Sequence, residues 1–242
     1  MIVYGLNPVL EALRGRRAVS RVWAAGEATA VAARERGAPE PIRTVDPAEL
    51  ERLCGSAAHQ GLVCEAEAYP YADPGQLLAA PDALVVVLDQ VQDPQNLGAV
   101  CRSAEVAGAS GVVIPVRRAA EVTPAACKAS AGAVEHLSVA RVRNIADYLG
   151  EAKRVGAWVY GADAGARRAY TDVDWSERAV VVLGSEGEGI RPRVRDACDE
   201  LVSITVRGRI GSLNVSAAAA VLLFEAAKFR ATDRAPGLDK ST

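Results

Sequence analysis

Ala83-Leu84-Val85-Val86-Val87-Leu88 is an unbroken apolar run that ends abruptly in Asp89-Gln90-Val91-Gln92-Asp93-Pro94-Gln95-Asn96-Leu97-Gly98. A second run, Ala179-Val180-Val181-Val182-Leu183, ends in Gly184-Ser185-Glu186-Gly187-Glu188-Gly189-Ile190. A strand with one wet face alternates apolar and polar residues. An unbroken run means that both faces are buried, which is how strands of a parallel α/β sheet read. Around these runs, short β-rich stretches (111–116, 139–142, 157–160, 201–206) alternate with helical ones (97–107, 124–133, 145–154, 214–229). That alternation predicts a mainly parallel sheet covered by helices. Open α/β sheets bind ligands beyond the carboxyl ends of their strands, so the loops after Leu88, Leu183 and Val206 are where a ligand is sought first.

Upstream the texture changes. Tyr69-Pro70-Tyr71-Ala72-Asp73-Pro74-Gly75 crowds turn formers together and carries no periodicity, which marks a boundary. Before it, residues 7–13 and 28–36 read as helices and 19–24 and 61–66 as short strands, a small α/β unit. Asp46-Pro47-Ala48-Glu49 reads as a helix start, because Asp accepts orphan amides and Pro offers none. The expected organisation is a small domain over 1–70, a linker over 71–82, a large α/β domain over 83–230, and a frayed polar tail over 231–242.

Composition narrows the class of protein. Half of the 242 residues are hydrophobic and 24% are charged, which excludes wholesale disorder or a fibre. No apolar stretch is long enough to span a bilayer, so no membrane partner is expected. The five cysteines (Cys54, Cys64, Cys101, Cys127, Cys198) form no C-x-x-C pair, which fits a reducing, cytoplasmic setting and no metal. With 28 basic and 30 acidic residues the net charge is −2, so any contact with nucleic acid has to be local. Only four lysines stand against 24 arginines, and arginine is the better partner for phosphates and base faces. The arginines gather in Arg14-Gly15-Arg16-Arg17, Arg117-Arg118, Arg167-Arg168, Arg191-Pro192-Arg193-Val194-Arg195 and Arg207-Gly208-Arg209.

Three segments carry candidate chemistry. In the first, after the 83–88 strand, Asn96 can cap the following helix, and Arg102 lies six residues on, in the second turn, where it could point back toward the strand-end crevice. In the second, 184–190, the glycines let a backbone approach a ligand closely. Its G-x-x-G-x-G spacing is not the dinucleotide fingerprint, and its two carboxylates would repel a pyrophosphate. Such a loop suits a neutral ribose and adenine beside a cation. The third, Ile204-Thr205-Val206-Arg207-Gly208-Arg209-Ile210-Gly211-Ser212-Leu213-Asn214-Val215-Ser216, precedes an apolar helix that either Ser212 or Asn214 can cap.

Together these segments resemble the three signature motifs of the SpoU (TrmH-like) branch of the SPOUT methyltransferases: Asn96-x-Gly98-x-x-x-Arg102, Leu183-Gly184-x-Glu186-Gly187-x-Gly189, and Ser212-Leu213-Asn214-Val215-Ser216. Val3-Tyr4-Gly5-Leu6-Asn7-Pro8-Val9, His59-Gln60-Gly61 and Lys128-Ala129-Ser130-Ala131-Gly132-Ala133-Val134-Glu135-His136 look like the RlmB-type rRNA guanosine 2′-O-methyltransferases within that family. The chain departs from the pattern at Thr205-Val206, where relatives have Pro-Met.

The resemblance implies an α/β fold with a C-terminal trefoil knot, a small N-terminal α/β domain of ribosomal-protein type, and a homodimer. It implies S-adenosylmethionine as cofactor, seated against Gly184, Ile204 and Leu213 with Gly189 and Val206 alongside. Carried over by motif, Arg102, Glu186, Ser212 and Asn214 form the catalytic and ribose-orienting set. Asn96 braces Arg102 or Glu186, and Glu186 is a base or an anchor for Arg102. Arg14, Arg16, Arg17 and His59 are expected to help grip RNA. The expected reaction is methyl transfer to a ribose 2′-hydroxyl, foremost of a 23S rRNA guanosine, with tRNA or an antibiotic-resistance rRNA site as the alternative substrate. The rival from another class is a non-catalytic RNA-binding assembly factor.

Overall fold

The structure, a computed structural model, describes residues 1–185 and 187–230. Glu186 and the expected tail over 231–242 lie outside the described residues. The chain opens with β1 (Ile2–Tyr4), α1 (Leu6–Arg14), β2 (Val19–Ala24), α2 (Glu27–Arg34), β3 (Arg43–Thr44), α3 (Pro47–Cys54) and β4 (Leu62–Ala66). Their strands form a sheet in the order β1-β4-β2-β3. The α3 start is as read: Asp46 Oδ1 accepts from Glu49 N at 2.7 Å, with Pro47 at the first helical position.

The remainder runs β5 (Leu84–Asp89), α4 (Pro94–Val106), β6 (Gly111–Pro115), α5 (Pro124–Ala129), β7 (Val139–Val142), α6 (Ile145–Arg154), β8 (Trp158–Ala162), β9 (Arg168–Ala169), β10 (Ala179–Gly184), α7 (Pro192–Arg195), β11 (Glu200–Ser203) and α8 (Val215–Ala227). These strands build a sheet in the order β7-β6-β5-β10-β8-β11-β9, with every pairing parallel. β5 and β10 lie at its centre, and every residue of β5 is buried. Their side chains alternate between faces with the two-residue period of a strand. Leu84, Val86 and Leu88 join a core with Leu97 and Val100 of α4 and Leu222 of α8, while Val85 and Val87 join another with Ile145 and Leu149 of α6.

Three expectations shift. The helix read over 124–133 stops at Ala129, because Ala131 (φ 52) and Gly132 (φ 92) turn left-handed before a 3-10 turn over Ala133–Glu135. A Cβ on Gly132 would lie 2.6 Å from that of Glu11, so this turn lets α1 sit close. The strand read over 201–206 stops at Ser203, leaving 205–214 exposed. The expected linker over 71–82 is packed, with Asp73 capping a 3-10 turn over Pro74–Leu78 and Leu77 and Leu78 buried, and just before it Tyr69 Oη donates to the Val134 and Leu137 carbonyls at 3.0 and 3.1 Å.

That packing fixes the small domain against the large one, and the arginines of 14–17 take part in it. Arg17 is only 5% exposed. Its guanidinium forms a buried ion pair with Glu135, with Nε donating to Oε2 at 3.0 Å, and it also donates to the Glu67 carbonyl at 3.1 Å. Arg16 donates to the Leu137 carbonyl and to Ser138 Oγ, at the amino end of β7. The expectation that Arg17 meets RNA is therefore corrected: its donors are consumed inside the protein, out of reach of a phosphate. Removing one partner of a buried pair strands the other charge. Glu135→Ala is accordingly expected to lower unfolding stability in urea by about 3–5 kcal/mol. Glu65→Ala, which releases the exposed Arg21, stays within about 1 kcal/mol.

Candidate functional site

β5 and β10 are neighbours, yet the chain leaves β5 toward β6 and β7 and leaves β10 toward β11 on the other side. The crevice beyond their carboxyl ends is the switch point of the sheet, where such folds bind ligands. Two adjoining cavities lie there. The larger, about 640 Å³, is lined by the loop after β10, the end of β11 and the 211–215 segment before α8. The smaller, about 340 Å³, is lined by Gln90 to Asp93, Asn96, Ser185, Glu188 and Val215. Ser185, Glu188 and Val215 are shared, so one wall separates two compartments.

The loop after β10 is folded back on itself. Gly189 N donates to the Ser185 carbonyl at 3.0 Å, and Gly187 and Gly189 take φ of 88 and 69. A Cβ on Gly184 would fall 2.0 Å from the Gly189 carbonyl carbon, a distance no side chain tolerates. The loop is tied down by Asp89, whose carboxylate is fully buried at the end of β5 and accepts from Arg191 N at 2.9 Å and Arg191 Nε at 2.8 Å. Gln90, next in sequence, takes φ 61 and turns into the smaller cavity.

The start of α4 differs from the expectation. Asp93, not Asn96, caps it, with Oδ1 accepting from Gln95 N at 2.9 Å ahead of Pro94. An acceptor before a first-position proline satisfies the orphan amides, and that leaves the Asn96 side chain to face the cavity. Its Oδ1 accepts from Asn214 Nδ2 at 3.0 Å. Asn214 in turn caps α8, its Oδ1 accepting from Ser216 N at 2.9 Å and Ser216 Oγ at 2.6 Å, so Asn214 rather than Ser212 is the cap. The first and third segments thus meet through an amide pair.

Gly184, Gly189, Ile204, Val206, Leu213, Ser212 and Asn214 all line the larger cavity, and Asn96 lines the smaller. Arg102 does not join them. It is exposed on α4, lines neither cavity, and among the described residues has no hydrogen-bond or ion-pair partner. Six residues of helix place it roughly 9 Å along the axis of α4 from Asn96. His59 is buried and its Nδ1 accepts from Gly61 N at 3.0 Å, a loop-stabilising role. Arg14 and Arg16 are exposed.

Sequence reading missed the wall formed by Ala162, Asp163 and Ala164 at the end of β8, and it did not single out Asp89 as the clamp on the glycine loop. The same strand-end rule, applied to the run before Gly161, points at the first of these. Asp163 is held by Arg195 at 2.7 Å.

The larger cavity is of a size for a nucleoside-sized ligand. Leu183, Ile190, Val202 and Leu213 offer apolar walls for a ring, the glycine loop offers backbone groups, and Glu188 offers a carboxylate for a cation. The residues therefore fit S-adenosylmethionine.

Comparison with known proteins gives the same direction. Residues 83–224 match the SpoU rRNA Methylase family, and residues 2–72 match the family described as RNA 2'-O ribose methyltransferase substrate binding. An uncharacterized tRNA/rRNA methyltransferase of Mycobacterium ulcerans is 42% identical over 240 residues, spanning 95% of this chain and 77% of the relative. The putative TrmH family tRNA/rRNA methyltransferase YacO of Bacillus subtilis is 38% identical over 233 residues, spanning 92% and 93%. Among solved structures, the SpoU methyltransferase AviRb from Streptomyces viridochromogenes in complex with the cofactor AdoMet superposes with a TM-score of 0.81 at 25% identity, spanning 94% of this chain and 89% of that one.

Gly184→Ala is expected to push the loop apart and weaken S-adenosylhomocysteine binding at least about tenfold by calorimetry. Gly208→Ala, where a Cβ meets nothing within 4 Å, leaves that affinity within about twofold.

Proposed function

The chain belongs to the SpoU rRNA methylase family of S-adenosylmethionine-dependent RNA ribose methyltransferases, and we propose that it modifies the 2′-hydroxyl of a guanosine in 23S ribosomal RNA. The observation that carries the reading is the Asn96–Asn214 pair at the wall between two cavities, one fitted for the methyl donor and one for an acceptor. The guanosine and the 23S substrate rest on the motifs at 3–9, 59–61 and 128–136. A tRNA substrate is the second reading, favoured by relatives whose names cover both tRNA and rRNA.

Gly184, Gly189, Ile204, Val206 and Leu213 would hold S-adenosylmethionine. When bound, it supplies an electrophilic methyl group on a sulfonium. The protein's part is largely positioning, since holding a ribose oxygen in line with that methyl in a water-poor crevice removes much of the barrier. Asn96 from the smaller cavity, and Asn214 and Ser212 from the larger, orient the ribose. A guanidinium is a permanent cation and a poor base, so Arg102 is assigned to stabilise negative charge on the RNA side, by pairing with the target phosphate or the developing alkoxide. Glu186 is assigned as base or as anchor for Arg102.

We further propose a homodimer. Helix α8 is apolar over most of its length, yet Phe224 is 49% exposed, and Ile210 and Leu213 in the preceding segment are 80% and 47% exposed. Apolar surface of this kind needs cover on its outer side, and a second copy supplies it. A cytoplasmic setting agrees with five cysteines that all stand as free thiols.

Arg102→Ala should abolish methyl transfer from labelled donor to ribosomal RNA while S-adenosylhomocysteine binding stays within about twofold. Unchanged turnover removes Arg102 from the mechanism. Mapping ribose methylation in RNA from cells with and without the protein identifies the nucleotide, and a lost site in tRNA rather than 23S rRNA overturns the substrate proposal.

A further inference from the structure

The site described above leaves unused one of the arginine clusters, Arg117-Arg118. The pair sits in the loop that leaves the carboxyl end of β6, the strand next to β5, and so at the same end of the sheet as the acceptor-side cavity. Arg16, by contrast, is bonded at the opposite end, ahead of β7.

The loop is stiffly built. Val116 N donates to the Val142 carbonyl and Ala120 N to the Val91 carbonyl, each at 2.9 Å, and Val122 N donates to Tyr71 Oη at 3.0 Å. Val91 itself lines the smaller cavity, so the loop is bonded to the cavity wall. Between these anchors Arg118 takes φ 56, a left-handed conformation that costs energy for any residue with a Cβ. Both arginines are exposed, and among the described residues neither has a hydrogen-bond or ion-pair partner. The loop's own carboxylate, Glu121, is taken by Arg141 at 3.1 Å, which also stacks on Tyr71 at 4.9 Å. It does not neutralise the pair. One strand further out, Arg143 is exposed just past the end of β7. Strands stand about 4.8 Å apart, so positive charge steps outward from the acceptor cavity strand by strand.

We propose that Arg117, Arg118 and Arg143 form a phosphate-binding track that leads the RNA strand across the carboxyl edge of the sheet into the acceptor cavity. The inference rests on the RNA methyltransferase reading and deepens it, placing the RNA on the large domain beside the reacting ribose. Arginine on phosphate gives charge-assisted contact without base selection, as a track requires.

The test is equilibrium binding of in-vitro transcribed 23S ribosomal RNA to the full chain as salt is varied. In the Arg117→Ala/Arg118→Ala double variant, Kd should rise roughly tenfold to hundredfold near physiological salt. The slope of log K against log salt should become shallower by about 1.5, the share of two neutralised phosphates. The Arg117→Lys/Arg118→Lys double variant should keep most of the slope, since a point charge persists, and S-adenosylhomocysteine affinity should not move in either. An unchanged Kd and slope in the alanine variant overturn the track. Because the readout is binding, it decides the track separately from turnover. A wild-type chain that transfers methyl to no RNA counts against the functional reading alone.

Discussion

The 3.0 Å hydrogen bond from Asn214 to Asn96 joins two segments 118 residues apart and decides how the rest of the site is arranged. Each asparagine stands at the start of a long helix, α4 or α8, and both helices pack on the same face of the central strands. Because Asn214 also caps α8, the donor that reaches Asn96 is held by an oxygen already engaged with Ser216. The pair is therefore preorganised rather than assembled on binding, which is what catalysis by positioning needs. Two residues along α4, Gly98 lets α5 approach, since a Cβ there would lie 2.6 Å from the Ala126 carbonyl oxygen. Helix α5 and the turn after it carry the docked small domain through Glu135 and Arg17. One frame thus runs from the small domain to the wall between the two cavities.

The donor side depends on backbone geometry instead. The loop after β10 closes through Gly184 and Gly189 with no room for side chains, and Asp89 clamps its end to β5 through Arg191. A carboxylate fully buried at the end of a central strand is costly unless its hydrogen-bonding capacity is met, and Arg191 meets it with both backbone and side chain. The two cavities adjoin through Ser185, Glu188 and Val215, so on the proposed reading a methyl donor in one and an acceptor in the other would lie within reach of each other.

The central strands are legible in sequence because burial on both faces leaves a compositional trace, and the capped start at Asp46 is legible because capping is local. β1, β3 and β9 run two or three residues each, too short for any periodicity to show. The fate of Arg17 is illegible for another reason: its partner is 118 residues away, so nothing near 14–17 distinguishes a buried ion pair from a solvated one. At the site, the glycine loop and the 204–215 segment announce themselves through residue type. The choice of Asp93 over Asn96 as cap turns on Pro94 and the tertiary contact to Asn214, which the motif does not fix.

The most direct test is a double-mutant cycle on kcat/KM for RNA, with Asn96→Ala and Asn214→Ser. Serine keeps a capping oxygen for α8 but removes the amide that donates to Asn96. If the pair acts as one unit, each single variant loses about tenfold or more with little change in unfolding midpoint. The double variant is then scarcely worse than either, a coupling of about 1 kcal/mol or larger. Losses that add to within about 0.5 kcal/mol would contradict the account.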